Sequence, residues 1–404
     1  MEHLYEILKH VDGYIYPNEI ELQWGILIVL YPYITGLVAG AFILASLERV
    51  FKVKVLKPTY QLALLTALAF LIVAIMPLVS HLGKPFRAYE IMTTPHLSSA
   101  MAIFGFVYLW YLMVVLLLEI WFDYRRDLVL WSAEKKGFRS RIYKILTLGV
   151  TDLSARTVSW DEKLGYFVTV VGIPSAFLLH GYVGFIFGSI KANPWWSSVL
   201  MPVIFLFSAM VSGIALVMFL YMAVSWIRKV KIDMPCLDEV GKYLFYVLVL
   251  DFTLESLDQV HRIYEAGESF QILDMLVKGK LNITLFIIQG LIGTVTPLIT
   301  LAILRVYKPR VKIRKGLYLT ISLLVLMGVL FMRWNVVIGG QLFSKSFLGF
   351  TSFKLGMAGS EGVLMAVIWM ILPFLILAFL LWLLPPWGKH SEMIEEEVSK
   401  EVLA

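Results

Sequence analysis

A chain of 404 residues that is 59% hydrophobic and only 16% charged departs far from the globular average of about 45–50% apolar and 25% charged. Its mean hydropathy of +0.81 leaves too little polar surface for a water-soluble fold. The bilayer is therefore the expected solvent, and the net charge of +6 is read as membrane topology, not as nucleic-acid binding.

Residues 1–23 carry five acids and Pro17 and lack a basic start and a small-residue cleavage site. They read as an outer N-terminal segment, not a signal peptide, so the first span is retained. Apolar blocks follow, each of about 20 residues, the length a helix needs to cross a hydrocarbon layer of ~30 Å. They cover Trp24–Leu47, Tyr60–Ser80, Leu97–Phe122, Gly165–Ile190, Ser198–Trp226, Tyr243–His261, Leu281–Leu304, Leu317–Val337 and Gly362–Leu384. The longest connection, Asp123–Leu164, is read as a loop whose basic cluster Lys135–Lys144 suits anionic lipid. Residues 385–404 form a short acidic tail. Gly36 and Gly40, Gly184 and Gly188, and Ser208 and Ser212 put small residues four apart, which lets helices approach closely in lipid. Pro32, Pro174, Pro202, Pro297 and Pro373 fall inside spans and should kink them. The expectation is a single all-α domain over 1–404, a polytopic bundle of about nine transmembrane helices within 24–384.

Lys and Arg tend to stay on the cytoplasmic side of short loops. The first, third, fifth and seventh connections and the C-terminal tail hold 4, 9, 4, 6 and 2 of them, 25 of the 35, and the remaining 10 fall mostly on the other side. That alternation predicts an odd number of spans in a plasma (inner) membrane, with the N-terminus outside and the C-terminus in the cytoplasm. Cys236 is the only cysteine, so an iron–sulfur cluster held by this chain alone is excluded, because such a cluster takes about four thiolates.

Ionisable residues inside a bilayer cost about 2.5–3.5 kcal/mol each at mid-helix on insertion scales, and they mark functional sites. The sixth block carries Asp251, Glu255 and Asp258, with Arg262 one turn beyond. At 100° per residue the four share a stripe of roughly 60°. The acids climb from mid-span to the outer end over ~10 Å. They read as a proton path, with His180 of the fourth block nearby, or as a stack of structural hydrogen bonds that includes a pair with Arg262. Other polar residues gather at the same level: Glu19, Glu21, Gln23 and Trp24 at the start of the first span, His81, Lys84 and Arg87 at the end of the second, Arg333, Asn335 and Gln341 at the end of the eighth, and Glu361 before the ninth. The inner halves are almost free of charge apart from Glu119. This points to a site near the outer face, open to an amphipathic ligand and to protons.

A redox subunit that handles a lipid-soluble quinone fits that map. A proton-coupled transporter would instead place polar residues near the midplane of two related halves, and no internal repeat is visible. A haem-bearing cytochrome needs paired histidines inside spans, and only His180 lies well inside one, so no haem is expected on this chain.

Several strings resemble the NrfD/PsrC family, the quinone-interacting membrane subunits of polysulfide reductase, nitrite reductase and related hydrogenase complexes. Trp24-Gly25, Leu30-Tyr31 and Gly36 to Phe42 resemble its opening helix, and Ser80-His81-Leu82-Gly83-Lys84-Pro85 followed by Arg87 resembles its second-helix end. His180 to Gly188 with Trp195-Trp196 and Met201-Pro202, and Arg333 to Gln341, are similar to the long, hydrogenase-type (HybB-like) branch. The resemblance implies two four-helix bundles plus one or more extra spans. It also implies exchange of electrons between membrane quinone or menaquinone and a ferredoxin-like iron–sulfur partner, which serves a catalytic partner that is a molybdoenzyme, a hydrogenase or a multihaem protein. The quinone would sit near the outer face, where Glu21, Gln23 and Trp24 at the first-helix start compete as contacts and His81, Lys84 and Arg87 stand opposite. Asp251 and Glu255 fit the interior acids of longer members.

Overall fold

The computed structural model describes residues 11–94, 96–359 and 361–386, with the backbone alone at Met101. The C-terminal tail expected from the sequence lies almost wholly outside the described residues. Nine helices long enough to cross a bilayer are present among them: α1 (Ile26–Arg49), α2 (Lys54–His81), α3 (Ala102–Glu134), α4 (Ala155–Gly188), α5 (Met201–Ile227), α6 (Met234–Glu265), α7 (Asn282–Val306), α8 (Val311–Val337) and α9 (Val363–Leu383). Eight of them are also apolar enough to be membrane spans by composition. The ninth, α6, is 32 residues long and falls short because Lys242, Asp251 and Glu255 interrupt its apolar run.

Local chemistry sets the ends of these helices. Pro58, Pro202 and Pro235 stand in first turns, where a missing N–H costs nothing. Ser154 caps α4 by accepting from the Thr157 amide, and Ala266, in a left-handed conformation, stops α6. Pro77 follows the break in α2 at Ile75, after which a short helix runs on to His81. Residues Tyr111–Leu116 of α3 and Asn282–Val295 of α7 wind as wider π-helix, a form often found near functional sites.

Two four-helix bundles, α1–α4 and α5–α8, lie side by side, with α9 packed on α2. The seam between them is the α1–α5 contact, supported by α8 against α1. It is made of small residues: a Cβ on Gly213 would overlap the backbone of Gly40 and Ala41. Burial follows this plan, since 89% of the apolar window of α1 is inside the protein and 17% of that of α9. The remaining surface of α9 is left to lipid.

The start of α1 and the ends of α2, α4, α6 and α8 share one side, here the first face. There Gln341 and Trp24 bond reciprocally, Gln341 Oε1 accepting from the Trp24 amide at 3.0 Å and Gln341 Nε2 donating to its carbonyl at 3.1 Å. Strand β1 (Asp12–Tyr14) pairs antiparallel with β2 (Leu348–Phe350) over this face. The 123–164 stretch, expected as a loop on the opposite, second face, is largely helical. α3 runs on to Glu134, a separate helix covers Phe138–Leu146, and α4 starts at Ala155. The helices extend past the apolar blocks because their ends hold each other. The buried Arg125 guanidinium bonds Asp161 at 2.6 Å and the Asp152 carbonyl at 2.7 Å. Nearby, Arg49 pairs with Asp123 at 2.7 Å, and buried Glu119 accepts from Thr169 at 2.7 Å. The second face is therefore more polar inside than the sequence suggests.

Candidate functional site

Two features dominate the first-face half: a polar network inside the second bundle and a pair of clefts beside the start of α1. The network centres on Arg333, fully buried in α8. One guanidinium nitrogen donates to Ser208 Oγ at 2.7 Å and to the Phe205 carbonyl at 3.3 Å, and lies 3.0 Å from His180 Nε2. The guanidinium also sits 4.0 Å over the Phe205 ring. Gly36 of α1 leaves the room that the His180 ring fills, since a Cβ there would lie 3.1 Å from it.

Asp251 and Glu255 lie within Coulombic range of Arg333, so the charge expected at a helix end compensates the acids of α6 from across the bundle. Gln289, in the π-helical part of α7, donates to Glu255 at 3.1 Å and accepts from Asn335 at 2.8 Å. One oxygen of buried Asp251 has no hydrogen-bond partner among the described residues. Asp258 differs from its two neighbours. Its oxygens take bonds from Ser198 at 2.5 Å and Arg262 at 2.8 Å, and Arg262 goes on to the Pro194 carbonyl at 2.5 Å. Asp258 thus ties the α4–α5 connection to α6. In that connection the Trp195 and Trp196 indoles donate to the carbonyls of Asn335 and Val336, groups left free where a helix ends.

Of the residues expected at the quinone end, Glu21, Gln23 and Trp24 come together. They line a cleft of about 340 Å³ with Asn193, Trp196 and Gln341. The Trp24 ring stacks on Trp196, centroids 5.1 Å apart and planes at 20°. His81 lies instead toward a second cleft of about 410 Å³ on the other side of Leu22, lined by Gly25, Ile26, Lys354, Glu361 and Gly362 among others. His81 Nδ1 is 3.0 Å from Glu361 Oε1, close enough for an ion pair but without hydrogen-bond alignment. Arg87 does not join either group: it stands exposed and holds Glu90 through two bonds of 2.6 and 2.8 Å. Lys84 is exposed beside it. Among the described residues, no group of three or more His, Cys, Asp or Glu is placed to hold a metal ion.

Sequence reasoning passed over Gln289, read Ser208 only as a small packing residue, and did not pair His81 with Glu361 or Arg333 with His180 and Ser208. A glutamine well inside the uncharged seventh block was the available signal, because an amide in lipid needs a partner. The contacts of Arg333, 82 residues from Asp251, leave no trace in spacing.

Residues 17–345 match the family described as Polysulphide reductase, NrfD. The chain is 34% identical over 208 residues to the C subunit of selenate reductase from Mesobacillus selenatarsenatis, covering 49% of this chain and 48% of that protein. It is 28% identical over 327 residues to the membrane C subunit of a putative dimethyl sulfoxide reductase from Halobacterium salinarum, covering 79% and 69%. Over 326 residues it is 22% identical to the NrfD homologue of Haemophilus influenzae, covering 80% and 95%. The chain thus spans about half the length of the first of these relatives and more of the other two.

Proposed function

The chain belongs to the polysulphide reductase NrfD family, and on that footing we propose that it is the quinone-reactive membrane anchor of a multi-subunit oxidoreductase. It exchanges electrons between the membrane quinone pool and an iron–sulfur subunit, which passes them to or from a catalytic subunit. The chain sits in the plasma membrane with the first face outward, the orientation favoured by the basic-residue count. The names of its relatives, a C subunit of selenate reductase and a membrane subunit of a putative dimethyl sulfoxide reductase, support the anchor role.

The observation that carries the quinone assignment is the His81–Glu361 pair at a cleft whose walls include Gly25 and Gly362. A quinol gives up two protons with its two electrons, so its ring needs acceptors for protons and donors for the carbonyl oxygens. A histidine beside a carboxylate supplies both, and glycine walls let a flat ring approach the backbone. Peripheral α9, open to lipid, forms one side of the way in. Leu22 borders both clefts, so Glu21, Gln23 and Trp24 form the far wall of one region around the start of α1. Behind it, Asp251 and Glu255 provide the interior route for protons. A transporter is less well supported, because it would use two related halves and no internal repeat is visible in the sequence.

The test is made in the intact complex. Removing one donor from a site of this kind typically lowers rate by ~10²–10³, so His81→Ala should depress quinol oxidation strongly while electron transfer to a soluble dye survives. Glu361→Gln should follow His81→Ala, and Gln23→Ala should raise the apparent Michaelis constant for quinol. Unchanged quinol turnover in His81→Ala would remove the site from this cleft. For the proton route, Glu255→Gln keeps an acceptor for Gln289 but cannot exchange protons, and it should slow quinol turnover in a normally assembled complex.

A further inference from the structure

We propose that the cleft between the end of α5 and the start of α8, on the second face, binds the phosphate headgroup of an anionic phospholipid. The cleft measures about 710 Å³ and is lined by Lys229, Lys231 and Lys315 together with Trp226, Ile227 and Ile232. No acidic side chain lines it. None of the three lysines is in an ion pair among the described residues. Asp238, in the first turns of α6, is held by Arg314 and by Tyr318, so it does not neutralise them.

The shape of the helix end gathers these charges. α5 stops at Ile227, and Lys229 takes a left-handed backbone (φ 56°) while its amide bonds the Trp226 carbonyl and the Val230 amide bonds the Ser225 carbonyl. The chain thereby folds back under the helix, which brings Lys229 and Lys231 to one side of it. Lysine binds phosphate as a point charge, and three around one cleft suit an anion that carries its charge on one group. The apolar wall selects a lipid over a free phosphate. Trp226 is 80% exposed and Ile227 70% exposed at the end of an apolar span, the level where tryptophan marks the membrane interface. A headgroup held by the lysines would have its acyl chains run along this exposed edge.

Each lysine near an anionic membrane surface contributes about fivefold in affinity, so neutralising three should weaken binding by roughly two orders of magnitude. The probe is dansyl-phosphatidylglycerol, its binding to the purified protein in neutral detergent read by energy transfer from tryptophan, with dansyl-phosphatidylcholine alongside. The wild-type chain should prefer the anionic lipid. Lys229→Gln/Lys231→Gln/Lys315→Gln should lose that preference, the matching Lys→Arg triple should keep it, and Lys52→Gln/Lys54→Gln/Lys308→Gln, exposed on the same face, should keep it too. Glycerol phosphate should not displace the lipid. Equal loss in both glutamine triples would mean diffuse surface charge. Displacement by glycerol phosphate would mean a soluble-anion site, and an unaltered preference in the first triple would mean the lysines are not involved. Each of these overturns the proposal. The Lys→Arg triple retains charge and bulk, so its failure to bind, with an unfolding temperature like that of the wild type, would overturn it as well.

Discussion

Replacing Arg333 by methionine keeps most of the apolar stem and removes a buried charge on which four helices converge. The guanidinium bonds to Ser208 and to the Phe205 carbonyl, and its approach to His180, are lost, while Asp251 and Glu255 lose a cation within Coulombic range. Two hydrogen bonds from a charged donor contribute about 1.5–3 kcal/mol each, so the expected loss is about 3–6 kcal/mol. Arg333→Lys should fall between, since an ammonium keeps the charge but cannot match the planar fork. The informative measurement is the double variant Arg333→Met/Asp251→Asn, followed with both singles by thermal unfolding of the detergent-purified protein. If the two charges compensate one another, the second substitution returns part of what the first removed, a coupling of about 0.5–3 kcal/mol. Strictly additive losses would refute the electrostatic link between α6 and α8.

Gly213→Ala should destabilise by about 1–3 kcal/mol or more through overpacking, because its Cβ would meet α1 backbone that cannot swing aside; a Gly316→Ala control, where a Cβ finds open space, should leave the unfolding temperature unchanged. Asp258→Asn should lower thermal stability by loosening the Arg262 clamp but reduce quinol turnover only in proportion to the folded fraction. A larger turnover loss would return Asp258 to the proton route. In a chain first freed of buried Cys236, cysteines at Lys136 and Lys312 should resist an impermeant thiol reagent in intact cells while one at Ser346 reacts; the opposite pattern would invert the orientation.

Hydrophobic blocks expose the order and rough extent of the long helices because they are a property of one segment at a time. The same holds for the stripe on α6, where spacing alone puts Asp251, Glu255 and Asp258 on one face. What faces them is a property of pairs of segments, which spacing within one segment does not carry. Asp258 and Arg262 are one turn apart, so their pairing is visible in advance. Gln289 and Arg333 reach the other acids from α7 and α8, brought there by helix packing. His81 and Glu361, 280 residues apart, meet only because α9 returns against α2.

The same facts explain how a helix with a stripe of three acids in its first-face half stands among eight apolar ones. Each acid of that stripe has its partner on a different element: Asp258 on the α4–α5 connection through Ser198, Glu255 on α7 through Gln289, and Asp251 within Coulombic range of Arg333 of α8. An ionisable helix of this kind is poorly suited to cross a bilayer alone, so α6 becomes a stable span only once α5, α7 and α8 are beside it. The second bundle is thus assembled around a polar network in its first-face half, whereas the first bundle keeps its buried charges, Glu119 and the Arg125–Asp161 and Arg49–Asp123 pairs, at its second-face end. Glu255 and Asp258 are thereby held by hydrogen bonds from other elements, and Asp251 stays buried beside them, the arrangement that the proton route proposed above would use.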